Sequence, residues 1–271
     1  MKKVVLITGA SAGIGKKTAR VLVKNGYTVY AAARRLEKMQ DLQQEGAHII
    51  QMDVTDDDSM VKGVNEIITR EGKIDILINN AGFGSYGAVE DVAIADAKYQ
   101  LEVNLFGAAR LTQLVLPSMR QQQWGKIVNI SSVGGKIATP FGGWYHASKF
   151  ALEGLSDALR NEVKQFGIDV IVIEPGGIKS EWSGIAFDSL VKVSGNTAYK
   201  NLAGRFADTF KTMEPNSPEP GIIADLIQKA ITARRPKARY AAGYMAVPIL
   251  FFRKILSDGL MDKAIMGQLK K

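Results

Sequence analysis

The sequence predicts an α/β protein built on one doubly wound parallel sheet. Six short apolar runs alternate with stretches of helical periodicity over residues 1–180, and polar or glycine-rich loops follow the runs. This alternation is typical of parallel strands joined by right-handed helical crossovers, with helices on both faces. No repeat or linker divides the chain, so we expect one domain over residues 1–271 with about seven strands.

The predicted strands are short and rich in Val, Ile and Ala. They are Val4–Thr8, 27–33, 47–52, 74–78, 126–130 and 168–173, with Arg239–Ala242 as a candidate seventh. The predicted helices are 34–44, one that starts near Asp56, 95–121, 145–166, 198–213 and about 221–233. Residues 180–220 are less regular, and we expect a partly helical lid over a substrate there, although a plain surface excursion would look the same.

Composition excludes several classes of function. Cysteine is absent from the sequence, which rules out disulfides, thiol catalysis and cysteine-ligated metals. Two histidines, His48 and His146, make a zinc or iron site unexpected, so we predict no metal. The apolar run near the start is not followed by a small-residue cleavage site, and we therefore expect a cytoplasmic protein.

The net charge of +8 is placed unevenly along the chain. Residues 229–271 contain ten Lys or Arg against two Asp or Glu, which accounts for the whole excess. Basicity confined to one end, beside apolar residues, fits a membrane surface, a subunit contact or an anionic ligand better than nucleic acid. A solvated basic rim is the plain alternative.

A glycine-rich loop follows the first predicted strand and leads into an amphipathic helix. Its residues 8–15 read TGASAGIG, a G-x-x-x-G-x-G spacing. A strand, a glycine loop and a helix in this order present backbone N–H groups and the positive end of a helix dipole to a diphosphate. Glycine lets the chain turn sharply and lets phosphate approach closely. A tight turn without a ligand is the alternative.

Two arginines follow the second predicted strand. In a dinucleotide-binding fold this strand end faces the adenosine ribose, where an acidic residue favours NAD and arginine suits the 2′-phosphate of NADP. Arg34 and Arg35 stand there without an acidic neighbour, which favours NADP. They could instead simply begin the charged helix 34–44. After the third strand, Asp53 could accept from adenine or cap the next helix.

Tyr145 is the candidate acid/base, and Lys149 is the candidate group that tunes its pKa. Four residues apart on a helix, they project from one face. A phenol titrates near ~10, and a nearby ammonium is expected to lower its pKa toward neutrality, so that the phenol can exchange a proton with an alcohol or a carbonyl. Ser132, just after the fifth strand, could bind the same oxygen. A Tyr-x-x-x-Lys pair without other signals is usually a solvated helix face.

Two further features stay open at this point. Asn104 falls within the predicted helix 95–121, where a buried amide must join a polar network unless it faces solvent. Residues 240–252 are uncharged, too short to span a bilayer, and read as core, subunit contact or pocket wall. Because Phe251 and Phe252 adjoin Arg253 and Lys254, a peripheral membrane anchor in the C-terminal extension 240–271 is the rival reading.

Six motifs in this order resemble the short-chain dehydrogenase/reductase family. They are TGASAGIG at 8–15, NNAG at 79–82, VN at 103–104, SS at 131–132, YHASK at 145–149 and PGGIKS at 175–180. The resemblance covers residues 3 to about 180 and implies a Rossmann-like fold. It also implies hydride transfer between NADP(H) and an alcohol or ketone, in a homodimer or homotetramer joined through the helices at 95–121 and 145–166.

The resemblance assigns roles to individual residues. Tyr145 would be the acid/base, Lys149 its tuner and a ligand of the nicotinamide ribose, Ser132 the group that orients the substrate oxygen, and Asn104 the holder of a water in a proton relay; Ser131 is not expected to act. The implied contacts with the diphosphate are Gly9, Ser11, Gly13, Ile14 and Gly15. At the adenosine half of the cofactor, the resemblance implies Arg34 on the 2′-phosphate with Arg35 nearby, Asp53 and Val54 on adenine, and Asn80 on the ribose beside Ala81 and Gly82. At the nicotinamide, it implies Ile178 and Ser180 on the carboxamide beside Pro175 and Gly176. The family often has Thr where Ser180 stands, which keeps the hydroxyl.

Within the family, the strand end at 29–35 and the loop 82–84 look like NADP-linked members that act on steroids, retinoids or acyl-glycerone phosphates. We therefore expect a lipophilic small-molecule carbonyl substrate. Trp144 and Trp182 flank the expected pocket, though packing would also explain them. The alternatives are a regulatory protein that senses NADP without catalysis, and a reductase of lipid intermediates at a membrane surface.

Overall fold

The molecule is organised around a parallel sheet. The computed structural model describes residues 2–269, except for the side chains of 181–183 and 213–214. Within these residues the strands are β1 (Val4–Thr8), β2 (Thr28–Ala33), β3 (His48–Gln51), β4 (Ile76–Asn79), β5 (Gly125–Ile130), β6 (Ile168–Pro175) and β7 (Arg239–Ala242). Their order is β3-β2-β1-β4-β5-β6-β7, and every neighbouring pair is parallel. All seven predicted strands are confirmed, with ends shifted by no more than two residues.

Helices cover both faces of the sheet. They are α1 (Gly13–Lys24), α2 (Gln40–Gln44), α3 (Asp57–Glu71), α4 (Ile94–Leu101), α5 (Gly107–Gln121), α6 (Gly143–Val163), α7 (Glu181–Ser194), α8 (Lys200–Met213), α9 (Gly221–Thr232), α10 (Ala246–Ile255) and α11 (Asp258–Gln268). Val5 and Ile7 of β1 pack toward α1 and α9, and Leu6 between them packs toward α3 and α5. Alternate side chains of a strand point to opposite faces, so a doubly covered strand is apolar throughout. Each such buried side chain contributes roughly 1.5–3 kcal/mol.

The sheet topology places the loops that matter on one edge. The chain builds β1, β2 and β3 outward in one direction and then crosses to β4 on the other side of β1. The loops after β1 and β4 therefore diverge and leave a crevice at the carboxyl ends of the strands. The glycine loop and residues 79–82 border this crevice, and residues 131–132 and 175–180 follow the next two strands along the same edge.

Two predicted helices differ from the observed ones. Residues 34–35 precede a 3₁₀ turn, Leu36–Met39, and only then does α2 begin, so the arginines lie in a loop rather than in a helix. The predicted helix 95–121 is α4 and α5 joined by a π-helical turn, Glu102–Phe106. Local π turns are frequent at functional sites, and this one contains Asn104.

The segment 180–220 is more helical than the sequence indicated. It contains α7 as well as α8, which pack against each other and against the loop after β4. Tyr86, Phe141, Tyr145, Leu190 and Phe206 form one buried cluster there, so α7 and α8 cover the proposed acid/base tyrosine. That these helices open and close as a lid stays a prediction.

The apolar run 240–252 is divided between core and surface, and Tyr240 and Ala242 pack partly buried against the core. Ala246 is buried, but Val247, Phe251 and Phe252 of α10 are exposed to solvent. Pro248 is tolerated in α10 because it lies in the first helical turn, where its missing N–H costs no hydrogen bond. Within residues 2–269, none of the helices combines the length and the apolar composition needed to cross a bilayer.

Candidate active site

Ser132 and the first turns of α6 meet at the carboxyl edge of the sheet. Ser132 follows β5, and its hydroxyl accepts a hydrogen bond from the Gly134 N–H at 3.0 Å. The same hydroxyl is hydrogen-bonded to the phenol of Tyr145 and lies 3.4 Å from the Pro175 carbonyl oxygen. The structure therefore brings the predicted serine and tyrosine into contact at the end of β6.

Burial controls the acidity of the Tyr145 phenol. Desolvation raises the pKa of Tyr145 to about 12, against a smaller lowering by its hydrogen bond to Ser132. The Lys149 Nζ atom lies 5.9 Å from the centroid of the Tyr145 ring. The predicted shift of this pKa toward neutrality is therefore wrong in direction for this arrangement, because desolvation of the phenol is the largest effect. At neutral pH the phenol keeps its proton, which is the form that can donate to a carbonyl.

Lys149 is buried and held by the backbone of the neighbouring strand. Its ammonium donates to the Ile130 carbonyl oxygen at 2.8 Å. Burial lowers the pKa of Lys149 to about 8, and the negative charge of Glu153 acts in the opposite direction. Lys149 is therefore mostly charged at pH 7 and loses its proton just above neutrality.

The buried Asn104 side chain joins a polar network. Its Oδ1 accepts from the Phe83 N–H at 3.0 Å, and its Nδ2 donates to the Phe83 carbonyl at 2.9 Å and to the Ser148 hydroxyl at 3.0 Å. A Cβ atom added to Gly82 would lie 3.2 Å from Asn104 Oδ1 and 3.6 Å from Lys149 Nζ. The amide and the ammonium thus border the same small space. That a water fills it stays a prediction.

His146 has a structural role that the sequence did not reveal. Its Nε2 accepts from the Thr139 N–H at 3.0 Å, so the ring proton sits on Nδ1, which faces the Gly134 carbonyl at 2.9 Å. Burial lowers the pKa of His146, which favours this neutral form. The ring braces the segment that carries Ser132. Nothing in its position after Tyr145 could have shown this, because the partners are backbone groups of another segment.

The glycine loop has the shape that a diphosphate needs. Gly9 and Gly13 adopt φ values of +65° and +53°, which disfavour other residues. Ala12 stands at the N-cap of α1 and offers no side-chain cap, and Ile14 and Gly15 follow in the first turn. The N–H groups of that turn are therefore not capped by a side chain and can receive an anion.

Asn80 holds the loop in this shape. Its Nδ2 donates to the Thr8 and Gly9 carbonyls at 2.9 and 3.2 Å, and the Thr8 hydroxyl accepts from the N–H groups of Asn80 and Ala81. A Cβ on Gly15 would lie 2.4 Å from this Nδ2 atom, so glycine is needed there. The contact of Asn80 with a ribose stays a prediction.

A cavity of about 700 Å³ opens beside the loop. Ser11, Ala12 and Gly13 line one side of it, and Lys179 and Ser180 line the other. This is the size of a cofactor-scale cleft. Glu37, Asp41 and Glu219 also line the cavity, so the fit to a dinucleotide diphosphate rests on the uncapped helix N-terminus and the positive-φ glycines.

Residues 175–180 are held in place by the chain after β7. The Gly176 N–H donates to the Ala242 carbonyl at 2.9 Å, and Gly177 pairs with Tyr244. A Cβ on Gly243 would lie 3.0 Å from the side chain of Ile178. Pro175, Ile178 and Ser180 therefore stand at the end of β6, where the resemblance expects them, and their cofactor contacts stay predictions.

The two arginines follow β2, at the end of the cleft where the adenosine half of a dinucleotide is expected. Arg34 Nη1 donates to the Tyr99 hydroxyl at 3.0 Å and lies 4.0 Å from Asp53 Oδ2, while Arg35 Nη2 lies 3.4 Å from the hydroxyl of Ser11. Both guanidinium groups thus flank the glycine loop or the strand beside it.

Asp53 and Val54 follow β3, and the Asp53 carboxylate lies beside Arg34. The Asp53 carboxylate accepts from the N–H and the hydroxyl of Thr55, and the helix is capped by Asp56 instead. The alternative that Asp53 caps this helix is wrong. The Val54 carbonyl lies against Gly107, where a Cβ would approach it to 2.4 Å. Their contacts with adenine stay predictions, and the side chain of Trp182 lies outside the described residues.

A family model described as short chain dehydrogenase matches residues 3–188. The chain belongs to the short-chain dehydrogenase family. A 3-ketodihydrosphingosine reductase of Bacteroides thetaiotaomicron is 35% identical over 97% of this chain and 96% of its own length. An NADPH-dependent 3-dehydrocapnine reductase of Ornithobacterium rhinotracheale is 32% identical over 98% of this chain and 97% of its own. The crystal structure of a short-chain dehydrogenase from Streptomyces avermitilis superposes with a TM-score of 0.80 at 32% identity, covering 98% of this chain and 95% of that one.

These findings confirm the predicted family, the Rossmann-like fold and the assignment as an oxidoreductase that acts on CH–OH or keto groups. This short-chain dehydrogenase also contains an ionic cluster around the buried Glu153 that was not predicted from its sequence. Glu153 contacts Lys136 at 2.8 Å and Arg239 at 2.9 Å, and Arg239 Nε lies 3.5 Å from Glu174. Glu153 lies four residues after Lys149, so the YHASKFALE sequence did contain the signal.

Glu174 is the destabilising member of this cluster. Burial, and then the charge of Glu153, raise the pKa of Glu174 from 4.5 to about 7. An unfolded chain releases this proton near pH 4.5, whereas the folded protein keeps it until about pH 7. The stability that the protonated group contributes is thus complete below pH 4.5 and lost as the pH rises through 7.

We expect Glu174→Gln to raise the free energy of unfolding at pH 8 by roughly 1–3 kcal/mol relative to its effect at pH 5. The amide stays neutral at both pH values, so the mutant avoids the cost of a buried charge. Thermal unfolding at the two pH values measures this, with the exposed Glu162→Gln as control. An equal or larger gain at pH 5 would contradict the assignment.

Proposed function

We propose that this protein is an NADP(H)-dependent oxidoreductase that interconverts a lipophilic ketone and a secondary alcohol, with Tyr145 as acid/base. The observation that carries the proposal is the hydrogen-bonded pair of Ser132 and Tyr145, in which Tyr145 is buried in an aromatic cluster on the same sheet edge as the glycine loop. A pair of hydroxyl donors beside a dinucleotide cleft is what carbonyl reduction needs.

The reaction follows from what each side chain can do. A substrate carbonyl oxygen accepts hydrogen bonds from Ser132 and Tyr145, and Tyr145 donates its proton as the oxygen becomes negative. When bound, the dinucleotide supplies the hydride that goes to the carbonyl carbon. The phenolate left on Tyr145 is stabilised by the Lys149 ammonium, which Ile130 keeps oriented. A water between Lys149 and Asn104 would return the proton from solvent.

The surroundings of Tyr145 favour an apolar substrate. Its ring lies 6.0 Å from that of Tyr86, and the ring of Phe206 lies 6.1 Å from Tyr86. The two relatives described above are named as reductases of a 3-keto and a 3-dehydro compound. We propose a ketone with a long apolar chain as the substrate, because the aromatic cluster can bury such a chain.

Tyr145→Phe tests the acid/base assignment. We expect kcat for ketone reduction to fall by about 100-fold or more, because general acid catalysis is lost. The affinity for NADPH, measured by fluorescence titration, should stay within about threefold, since the phenol oxygen is one contact among many. Tyr27→Phe, remote from the site, serves as the control.

Retention of most of the activity in Tyr145→Phe would refute this role. The rival function, a sensor of NADP without catalysis, predicts NADPH binding with no turnover of any ketone by the wild-type protein. The arrangement of Asn104, Ser132, Tyr145 and Lys149 favours the enzyme, because a sensor has no need of a buried acid and a proton path.

We also propose NADP(H) rather than NAD(H) as the cofactor. Arg34 and Arg35 follow β2 and reach the adenosine end from two sides, one toward Tyr99 and the other toward Ser11. A guanidinium pair suits the dianionic 2′-phosphate, which NAD lacks. The Ornithobacterium relative is named as NADPH-dependent.

Replacing Arg34 and Arg35 together with Ala should lower the ratio of kcat/KM for NADPH to that for NADH by about tenfold or more, since two charge-assisted contacts are lost. Steady-state kinetics with both cofactors measure the ratio. Arg235→Ala, an arginine of the basic segment before β7, is the matched control. An unchanged ratio would place the 2′-phosphate elsewhere or exclude NADP specificity.

A homo-oligomer through the helices α4 to α6 is part of the proposal. Phe106, Phe150 and Leu155 are exposed on this face. Exposed large apolar side chains on neighbouring helices are typical of subunit contacts. This face is separate from α10.

The exposed face of α10 favours an enzyme that carries out the proposed reaction at a membrane surface. Val247, Phe251 and Ile255 stand four residues apart and are 65%, 57% and 60% exposed. The exposed Lys254 adjoins them, and Arg253 Nε donates to the Lys136 carbonyl, so α10 lies beside the segment that follows Ser132. Aromatic and cationic residues on one short helix fit an anionic bilayer surface. We propose that α10 rests on such a surface and that the lipophilic substrate enters from it.

Cosedimentation with vesicles tests this contact. We expect the wild-type protein to bind phosphatidylcholine vesicles that contain phosphatidylglycerol, and Phe251→Ser/Phe252→Ser to bind about tenfold more weakly because apolar area is no longer buried. Ile222→Ser, an exposed apolar residue on α9, is the control. If the double variant instead lowers the molecular mass in solution and leaves vesicle binding unchanged, a second copy covers this face and the proposal fails.

A further inference from the structure

A buried carboxylate lies one helical turn beyond Lys149. Glu153 is on α6, four residues after Lys149, and its side chain is 4% exposed. Residues at this spacing share one face of a helix. Lys149 and Glu153 therefore lie on the same face of α6, and both residues are buried.

The fold makes room for this carboxylate. A Cβ atom on Gly135 would come within 3.0 Å of Glu153 Cγ and 2.7 Å of the Ser131 hydroxyl. Any other residue at position 135 would collide with the glutamate or the serine. Ser131 thus faces the carboxylate side of the site, whereas its neighbour Ser132 faces the phenol.

The charged groups around Glu153 come from five elements. They are Lys149 and Asp157 on α6, Lys136 after the turn Val133–Gly135, Arg239 on β7, Glu174 on β6 and Lys254 on α10. Arg239 is shared with Asp157 at 2.8 Å, and Asp157 also binds Arg160. Glu153 Oε1, in contrast, has no hydrogen-bond partner among the described residues. The other oxygen, Oε2, contacts both Lys136 and Arg239, and Arg239 divides its charge among three carboxylates.

We infer that Glu153 is a positioning residue for the reaction, whose buried carboxylate keeps the Lys149 ammonium charged beside Tyr145. The inference rests on the proposed function, since it concerns the same acid/base pair. A buried amine tends to lose its proton, and a nearby carboxylate opposes that loss. The two effects on Lys149 have these signs, with burial the larger. Without Glu153, the Lys149 ammonium that stabilises the Tyr145 phenolate would lose its proton at a lower pH than in the wild-type protein.

The pH dependence of ketone reduction tests this role. We expect kcat of the wild-type enzyme to fall above about pH 8, where Lys149 loses its proton. In Glu153→Gln the fall should begin at lower pH, so that the ratio of kcat at high pH to kcat at pH 6.5 drops by about threefold or more. Glu153→Asp should recover part of the wild-type profile.

Lys136→Met provides a second variant with the opposite sign. Lys136 is 30% exposed in its side chain, so its replacement is expected to be tolerated by the fold. Removal of this cation leaves Glu153 less neutralised, and the alkaline fall in kcat should move to higher pH. Asp157→Asn is the matched control, because it removes a carboxylate from the same arginine two turns from Lys149 and should leave the pH profile unchanged. A purely structural role of the cluster predicts no such opposite shifts.

A direct titration separates this inference from the proposed function. The ¹³Cε signal of Lys149, assigned with Lys149→Arg, reports its ionisation in the protein without turnover. We expect the midpoint to fall in Glu153→Gln and to rise in Lys136→Met. Unmoved midpoints, with Tyr145→Phe still inactive, would overturn the role of Glu153 and leave the proposed function standing. Shifted midpoints in a protein that reduces no ketone would refute the proposed function and leave the electrostatic coupling intact.

Discussion

One buried cation is the constraint on which the active-site end of the molecule depends. The Lys149 ammonium is removed from water, and its observed protein partner is the Ile130 carbonyl at 2.8 Å. A buried charge is tolerated only when hydrogen bonds and nearby opposite charge replace its hydration. The hydrogen bond ties α6 to the end of β5, and so it also fixes where Tyr145 stands relative to Ser132. Gly82 and Asn104 leave the ammonium a polar space on its other side.

The parallel sheet alone is enough to bring this site and the glycine loop to the same edge. β1, β4 and β5 are neighbours, and their parallel direction places all their following loops at one edge. Side chains then lock the loops: Asn80 braces the turn after β1, and His146 braces the segment after β5. Both residues act on backbone groups. They set the shape into which a cofactor and a substrate fit. They therefore take no part in the proton transfer itself.

The sequence contained the fold and the order of the site residues but not the energetics of the site. The strands were predictable because a doubly covered sheet makes apolar runs continuous, and the pair Tyr145 and Lys149 was singled out by the six motifs in order rather than by its spacing alone. The π turn at Asn104 was not, because one extra residue in a helical turn leaves no mark on an apolar pattern. The acidity of Tyr145 was predicted with the wrong sign, since helical spacing says nothing about how deeply α7 and α8 bury the phenol. The spacing of Lys149 and Glu153 is visible in the sequence, but the ionic cluster was missed because Lys136 and Arg239 meet Glu153 only in the folded chain.

The order of the two ionisations has a consequence for the direction of the chemistry. With the pKa of Tyr145 near 12 and that of Lys149 near 8, the site below pH 8 holds a protonated phenol and a charged ammonium together. This state can donate a proton to a carbonyl oxygen and then stabilise the resulting phenolate, which is what reduction requires. Oxidation of an alcohol needs the phenolate first, and burial makes that form costly even with the Lys149 ammonium 5.9 Å from the ring centroid. In the proposed reaction this state supplies the proton for reduction at neutral pH, and we infer that the charge of Glu153 sets how far toward alkaline pH Lys149 stays protonated.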